Sequence, residues 1–184
     1  FHLVQGGLGL PDESYYREEK FAEIRAAYVA YLERLLTLGG YDDPAGAAQR
    51  ILDLDTELAK GHWERADTRD VQKTYNRLTG DELKELCPAF DWDAYITNIG
   101  GHLTGEKATI AEVVVRQPSY LEHLSKVLEA TPIETLRDWF ASRVLRSAAP
   151  YLTAELVETN FDFYGRTLSG TPELRARWKR AVSF

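Results

Sequence analysis

The feature that most constrains this chain is a repeated helical pattern, in which apolar residues recur three and four positions apart between proline and glycine signals. The first such stripe consists of Phe21, Ile24, Tyr28, Leu32 and Leu35. A helix buries one stripe of this kind on one face, and the pair Gly39-Gly40 that follows is a common helix stop. The pattern continues along the chain and predicts roughly seven or eight helices. The expected fold class is therefore mainly α, a multi-helix domain.

Helix starts are predicted where a capping residue or a proline precedes an apolar stripe. The predicted starts are Asp12 or Glu13, Asp43, Thr79, Asp91, Pro118, Thr131, Thr153 and Thr171. Two of these carry the capping-box pattern, Thr79 with Glu82 and Thr131 with Glu134. The predicted helix ends are near Leu38, Arg65, Leu86, Ile99, Ala148 and Tyr164. Gly100-Gly101, Gly105 and residues 165–170 are predicted as loops because glycines cluster there.

The stripes also predict which side chains face the core. Inward positions of the early helices include Ile51, Leu54 and Leu58, and those of the helix after Pro118 are Leu121, Leu124 and Leu128. The helix after Thr131 is expected to bury Leu136, Trp139, Phe140, Val144 and Ala148. The last two helices are expected to bury Leu156, Val157, Phe161, Tyr164, Leu174, Trp178 and Val182.

A minor β component is expected from two short runs. Phe1–Val4 is predicted as a strand, and Ile110–Val115 contains the β-branched run Val113–Val115. These runs are expected to pair with each other or with strands outside the sequence. Between the first run and the first helix, Gln5–Pro11 contains three glycines and then a proline, which predicts a strand-to-helix hinge. Residues 1–11 are thus expected to be a short N-terminal strand and a Gly-rich hinge within one helical fragment, 1–184.

Composition excludes several classes of protein. The formal net charge of -7 disfavours nucleic acid as a partner, although Arg175, Arg177, Lys179 and Arg180 form a small basic cluster. No apolar run reaches the roughly 20 residues that a membrane span needs, and no signal-peptide pattern is present. The single cysteine, Cys87, excludes an internal disulfide and is expected to fill a core or loop.

The residues present do not predict a catalytic or metal centre. The histidines are His2, His62, His102 and His123, and no two are three or four residues apart, so no helical pair can present two imidazoles to one ion. The pattern His-Glu-x-x-His is absent, as is a Gly-x-Ser-x-Gly nucleophile elbow. No catalytic, cofactor-binding or metal-binding residue is therefore assigned in this chain.

The glycine hinge is the remaining candidate for ligand binding, because glycine loops before helices can hold phosphate. Gly6-Gly7-Leu8-Gly9 does not complete the dinucleotide pattern, since Asp12 stands where its third glycine would be. Asp12 and Glu13 would also repel an anion. A structural hinge is therefore favoured over a nucleotide site.

Several segments, in order along the chain, resemble those of the neprilysin and endothelin-converting-enzyme family of zinc metallopeptidases, with bacterial members the most similar. The first is Leu8–Pro11 followed by Tyr15-Tyr16. The later ones are Arg69-Asp70 with Tyr75-Asn76 and Thr79, Val113–Val115 with Pro118–Leu121, Phe163–Gly165, Ser169–Thr171 and Trp178–Arg180.

This resemblance implies that the chain is the amino-terminal part of a two-domain metallopeptidase that hydrolyses peptides. The family's zinc motif, its glutamate ligand and its Asn-Ala-x-Tyr substrate strand belong to the later half, so the catalytic zinc domain is not expected in this chain. Asn160–Tyr164 lacks the Asn-Ala pair, and no role is transferred to it. The implied role is a helical cover that walls the substrate chamber and limits substrate size. Zinc is expected in the parent protein and none on this fragment, which is expected to be inactive alone.

The implied partners are peptide substrates and the missing catalytic domain, with no nucleic acid and no membrane segment. A chain that contains no methionine and starts at Phe1 is expected to be an excised fragment, with residues 178–184 predicted as a helix still in progress. Cytoplasmic and secreted bacterial locations both stay open. The alternative is a stand-alone helical protein-interaction module without catalytic activity.

Overall fold

The computed structural model describes residues 1–104 and 110–182, with the backbone alone for 100–104. The α-helices are α1 (Ser14–Arg17), α2 (Ala22–Leu38), α3 (Pro44–Lys60), α4 (Gly80–Leu86), α5 (Trp92–Thr104), α6 (Pro118–Ala130), α7 (Ile133–Ala148), α8 (Ala154–Phe161) and α9 (Arg177–Ala181). Short 3₁₀ turns span Glu19–Phe21, Asp67–Arg69 and Ala149–Tyr151, and a π-helical turn spans Asp162–Thr167. The strands are β1 (His2–Leu3), β2 (Asn76–Thr79) and β3 (Glu112–Val115). The prediction of a mainly α fold with a minor β component is confirmed.

The chain divides into two compact units. The sheet unit consists of Phe1–Tyr16 and Asp55–Thr131, and the helical unit consists of Arg17–Leu54 and Pro132–Phe184. Helix α3 contributes residues to both units, because the division falls between Leu54 and Asp55. That residues 1–184 are a single helical fragment of the amino-terminal region of a peptidase stays a prediction.

The sheet unit contains a three-stranded sheet with the order β1-β3-β2. The two strands predicted from the sequence pair with each other in parallel, with His2 opposite Val114. Strand β2, which the sequence did not predict, pairs antiparallel to β3 with Leu78 opposite Val113. Its sequence Asn-Arg-Leu-Thr carries a single large apolar residue, so periodicity gives no signal and pairing with β3 decides its conformation.

The core of the sheet unit forms between strand β3 and residues of α4, α5 and α6. It contains Leu83, Cys87, Trp92, Val113, Val115, Tyr120 and Leu121. The backbone oxygen of Cys87 accepts a hydrogen bond of 3.0 Å from the indole nitrogen of Trp92. Burial raises the pKa of the Cys87 thiol, as expected of a core-filling cysteine.

The core of the helical unit is aromatic. Tyr28 and Tyr31 of α2 pack against Phe163 of the π-helical turn, with ring centroids 5.5 and 5.0 Å apart. Tyr31 donates a hydrogen bond of 3.0 Å to Asn160, and Tyr28 accepts one of 2.9 Å from Arg143. Burial raises the pKa of the Tyr31 phenol, which therefore stays protonated as a donor.

Most predicted helix signals act as expected. The amides of Gly40 and Tyr41 donate to the carbonyls of Thr37 and Leu36, which closes α2 with Gly40 at a φ of 79°. The carboxylate of Asp43 accepts from the Gly46 amide at 3.0 Å and caps α3. Both hydrogen bonds of the Thr79–Glu82 capping box are present, and Thr153 caps α8 through the amide of Leu156.

Two predicted helix boundaries in the first third of the chain are wrong. The single helix expected from Asp12 or Glu13 to Leu38 is broken at Glu18, whose backbone is extended. Helix α3 ends at Lys60 rather than near Arg65, because the chain turns at Gly61, against the ring of His123. A Cβ atom at Gly61 would overlap that ring, so the glycine permits the turn.

Boundary predictions based on glycine or on threonine also fail later in the chain. Helix α5 continues through Gly100-Gly101 to Thr104, since glycine weakens a helix by only about 1 kcal/mol. The predicted loop at Gly105 lies outside the described residues. Residues 165–169 are helical rather than loop, and α9 starts at Arg177 rather than Thr171. The Thr131 hydroxyl donates to the Val127 carbonyl of α6, so the second capping box does not form.

Helix α7 buries the stripe predicted for it only in part, since Leu136, Trp139 and Ala148 are half-buried. Phe140 and Val144 are exposed, whereas the buried side chains are Thr135, Asp138 and Ser142. The polar face is turned inward because Asp138 pairs with Arg50 of α3 at 2.8 Å. The buried Ser142 hydroxyl is satisfied within α7, where it donates to the Trp139 carbonyl at 2.7 Å. Trp178 and Val182 of the last segment are likewise exposed rather than buried.

Among the described residues, no helix combines the length and the hydropathy that crossing a membrane requires.

Candidate functional site

The glycine hinge, residues Gln5–Pro11, lies in the sheet unit between β1 and α1. Gly7 has a φ of 94°, in the region that favours glycine because it lacks a Cβ atom. Leu10 is 3% exposed, so the hinge is anchored in the core as well as by hydrogen bonds.

A buried carboxylate and a buried phenol hold the second half of the hinge. Asp55 of α3 is fully buried, and its Oδ2 accepts from the Gly9 amide at 3.2 Å and from the Tyr16 hydroxyl at 3.3 Å. The Tyr16 oxygen in turn accepts from the amides of Gly9 and Leu10, at 3.1 and 2.9 Å. Tyr16, part of the Tyr-Tyr pair in the sequence motif, therefore closes the segment that precedes it.

The first half of the hinge is held through the carbonyl oxygen of Gly6. This oxygen accepts from the Tyr120 hydroxyl at 2.9 Å and lies 3.2 Å from Nε2 of His62, whose ring packs edge-on against Tyr120. Burial raises the pKa of Tyr120 to about 12, so the phenol is a donor at neutral pH. Burial lowers the pKa of His62, His123 lowers it further, and the bond to Gly6 opposes both effects.

Gln5 connects the hinge to the turn after α3. Its side-chain amide donates to the Trp63 carbonyl at 3.0 Å and accepts from the Trp63 amide at 2.8 Å. Its backbone amide donates to the side-chain oxygen of Gln117 at 2.9 Å, and Trp63 donates to Ser119 at 2.7 Å. The segment Gln117–Tyr120 at the start of α6 therefore supports the hinge directly through Gln117 and Tyr120, and indirectly through the bond between Ser119 and Trp63.

The second resembling segment builds the turn that leads into β2. The carboxylate of Asp70 accepts from the amides of Gln72 and Lys73, at 2.9 and 3.1 Å. The side chain of Asn76 then donates to the Val115 carbonyl of β3 at 3.1 Å. These residues order a turn and fix a strand, which is a structural role.

A shallow cavity of about 240 Å³ adjoins the hinge. Its lining includes Gly6, Gly7, Asp12, His62 and Arg65. The amides of Gly9 and Leu10 already donate to the Tyr16 oxygen, and the Gly9 amide also donates to the buried carboxylate of Asp55, whose negative charge would repel a phosphate. This arrangement disfavours a phosphate and supports the prediction that the segment is a structural hinge.

Zinc, the metal that the sequence resemblance implies for the parent protein, does not fit the donors in the described part of this chain. His62 and His123 influence each other electrostatically, but Nε2 of each lies within hydrogen-bond distance of a backbone carbonyl, Gly6 at 3.2 Å and Glu57 at 2.7 Å. No group of three or more His, Cys, Asp or Glu side chains able to hold an ion occurs in the described ranges. His2 is exposed at the start of β1, and the side chain of His102 lies outside the described set.

Sequence reasoning missed two residues that matter most to the hinge, Asp55 and Gln117. Asp55 stands four residues after Ile51 and three before Leu58, on the stripe predicted to be buried. An acidic residue on a buried stripe is a signal that it has polar partners inside. Gln117 gives no comparable signal, because it precedes the helix that Pro118 opens.

Comparison with known proteins gives a match over the entire chain. The family model for the amino-terminal region of peptidase family M13 matches residues 1–184. Endothelin-converting enzyme 1 of Cavia porcellus is 30% identical over 190 residues, a stretch that covers 99% of this chain and 24% of the relative. The chain thus spans about a quarter of the length of that curated relative.

Solved structures agree with this match. The zinc metalloprotease Zmp1 of Mycobacterium tuberculosis, in its open state, superimposes with a TM-score of 0.92 at 40% identity, covering 99% of this chain and 28% of that one. PepO of Lactobacillus rhamnosis shares the fold, with a TM-score of 0.76 at 24% identity, over 96% of this chain and 28% of that one. The resemblance seen in the sequence is therefore confirmed, and the chain belongs to peptidase family M13, whose amino-terminal region it represents.

Proposed function

We propose that this chain is the amino-terminal, non-catalytic part of a zinc metalloendopeptidase, in which it walls the substrate chamber and limits the size of substrates. The observation that carries the proposal is the match of the M13 family model to all 184 residues, combined with coverage of only about a quarter of the relatives. The whole protein's chemistry then belongs to the longer part of the family chain.

Zinc peptidase activity is proposed for the parent protein from its relatives. One similar structure is a zinc metalloprotease in complex with an inhibitor, 40% identical over 99% of this chain. The curated relatives include endothelin-converting enzyme 1 and membrane metallo-endopeptidase-like 1. In such enzymes, zinc lowers the pKa of a bound water to about 7 and so supplies a nucleophile. The expected substrates of the parent protein are peptides.

A covering role is supported by what the described side chains do. The hydrogen bonds of Tyr16, Asp55 and Tyr120 hold the hinge in place. Cys87 is buried in the core of the sheet unit. The relative Zmp1 is known in an open and a partially open state. A cover that opens and closes over a catalytic domain is consistent with these two states.

The alternative, a stand-alone interaction module, is less well supported. A module unrelated to peptidases would have no reason to match the family over its whole length. The expected partner is instead the catalytic domain of the same protein.

The size limit can be tested with one cleavable sequence presented in two ways. The complete protein should hydrolyse it as a short free peptide and leave it intact when it is displayed on a folded carrier too large for a chamber. The 184-residue chain alone should cleave neither. Equal cleavage of the peptide and the carrier by the complete protein would contradict the chamber role.

A further inference from the structure

Helix α7 of the helical unit exposes a row of large apolar side chains. Ile133, Phe140 and Val144 are 55%, 60% and 66% exposed, although they are among the largest apolar residues of the helix. Their spacings of seven and four residues place them on one face, at about 100° of rotation per residue. Tyr151, 65% exposed in the turn after the helix, continues this series with a further spacing of seven. We call Ile133, Phe140, Val144 and Tyr151 the outer face.

The opposite face shows that the helix is not simply misoriented. Asp138 and Ser142 are buried and hydrogen-bonded, the first to Arg50 at 3.0 and 2.8 Å. Turning the helix over to bury these apolar residues would break the ion pair of Asp138 with Arg50. This ion pair therefore holds the helix in an orientation that leaves the outer face uncovered by the described residues, and an exposed apolar patch of this kind is typical of an interaction surface.

Phe140 is also held in place on its exposed side. Its ring meets that of Trp139 edge-on at a centroid distance of 5.1 Å, and Arg143 lies over the Trp139 ring at 4.7 Å. A supported, exposed aromatic is the usual form of an interface anchor rather than of a solvated surface.

The relatives indicate which partner the outer face has. The similar chains match this one over only 20 to 28% of their own length, and the family model that matches residues 1–184 is that of the amino-terminal region. A family member thus has some three times as much further polypeptide in the same molecule, at high effective concentration for an apolar face.

We propose that the outer face of α7 is an internal interface, covered in the complete protein by an apolar surface of the polypeptide that follows residue 184. This inference rests on membership of the family and not on zinc or catalysis. The alternative is that a second copy of the chain covers this face. Dilution distinguishes the two cases, because only contact with a second copy depends on protein concentration.

Cysteine labelling of the complete protein tests the proposal. Val144→Cys places a thiol on the outer face, and Val71→Cys is the matched control, because Val71 is 77% exposed in the sheet unit. Cys87 is buried and free, so it contributes little background. Under native conditions, the maleimide should react with the thiol of the Val144 variant at least about tenfold more slowly than with that of the control. In denaturant the two rates should be equal.

Equal labelling of the two variants in the native complete protein would overturn the inference. Protection that disappears on dilution would also overturn it, in favour of a second copy. Protection that persists at all protein concentrations supports it. Hydrolysis is measured in parallel: full activity without protection refutes this inference alone, and protection without zinc or activity refutes the proposed function alone.

Discussion

At the scale of single residues, the conformation of the glycine hinge depends on hydrogen bonds with Tyr16 and Asp55 as well as on its glycines. The Tyr16 hydroxyl accepts hydrogen bonds from the amides of Gly9 and Leu10 and donates one to the fully buried carboxylate of Asp55. A buried carboxylate is costly unless it is hydrogen-bonded, so the three groups depend on each other.

Removing the Tyr16 hydroxyl should therefore destabilise the protein. Tyr16→Phe leaves the Leu10 amide without its acceptor and takes one donor from Asp55, for an expected loss of about 1–3 kcal/mol of unfolding free energy. Denaturant unfolding measures the change. The control is Tyr95→Phe, since Tyr95 is 39% exposed and its ring contacts with Phe90 and Trp92 survive the substitution. Similar losses in the two variants would refute the role assigned to the Tyr16 hydroxyl.

The pKa of His62 predicts a dependence of stability on pH. Burial holds this pKa below its ordinary value of 6.5, so the unfolded chain binds the proton more readily than the folded one. The stabilisation is complete above pH 6.5 and is lost as the pH falls through the lowered folded pKa. His62→Gln keeps an N–H donor for the Gly6 carbonyl and does not titrate.

The measurement is the unfolding free energy of the unsubstituted protein and of the His62→Gln variant between pH 8 and pH 5. The unfolding free energy of the unsubstituted protein should fall, relative to that of the His62→Gln variant, as the pH is lowered. Curves that stay parallel over this range would show that His62 is not the group responsible.

Residue-scale features were only partly predictable from sequence. Cys87 as core and the Thr79–Glu82 box follow from local rules, since a capping box needs only neighbours. The partners of Asp55 are 39 and 46 residues away, and no local rule reaches that far.

At the scale of elements, the glycines show why some helix ends were predicted correctly and others were not. Gly40 ends α2 because it takes a left-handed conformation, whereas Gly165 lies inside a continuing helical turn. A Cβ atom on Gly165 would overlap the ring of Phe161. The glycine is thus needed for close packing, a property that its position in the sequence does not reveal.

Gly165→Ala should therefore destabilise the protein by about 1–3 kcal/mol, the usual cost of overpacking. Helix propensity alone predicts the opposite sign, a gain of up to about 1 kcal/mol. Thermal or denaturant unfolding of the single variant decides between them. In a Phe161→Ala background the same substitution should cost much less, and an unchanged cost would place the strain elsewhere.

Helix α7 gives a second lesson at this scale. Its period and length were predicted correctly, but its buried side was not, because periodicity identifies an apolar face without saying what covers it. The ion pair of Asp138 with Arg50, 88 residues apart, sets the orientation instead.

At the scale of the whole molecule, the sequence motifs identified the family although no catalytic role is assigned to any of them. The matching segments are supports: Tyr16 and Tyr120 hold the hinge, and Asp70 and Asn76 lead into β2. This explains how a family can be recognised from a part in which no catalytic residue is assigned.

The division of labour between this part and the rest is the central claim, and zinc content measures it most directly. The complete protein, purified without chelator, should contain about one zinc per molecule and lose peptide hydrolysis when the metal is removed. The 184-residue chain prepared in the same way should contain substantially less than one zinc per molecule. Stoichiometric zinc on the 184-residue chain, with peptide hydrolysis, would contradict the account.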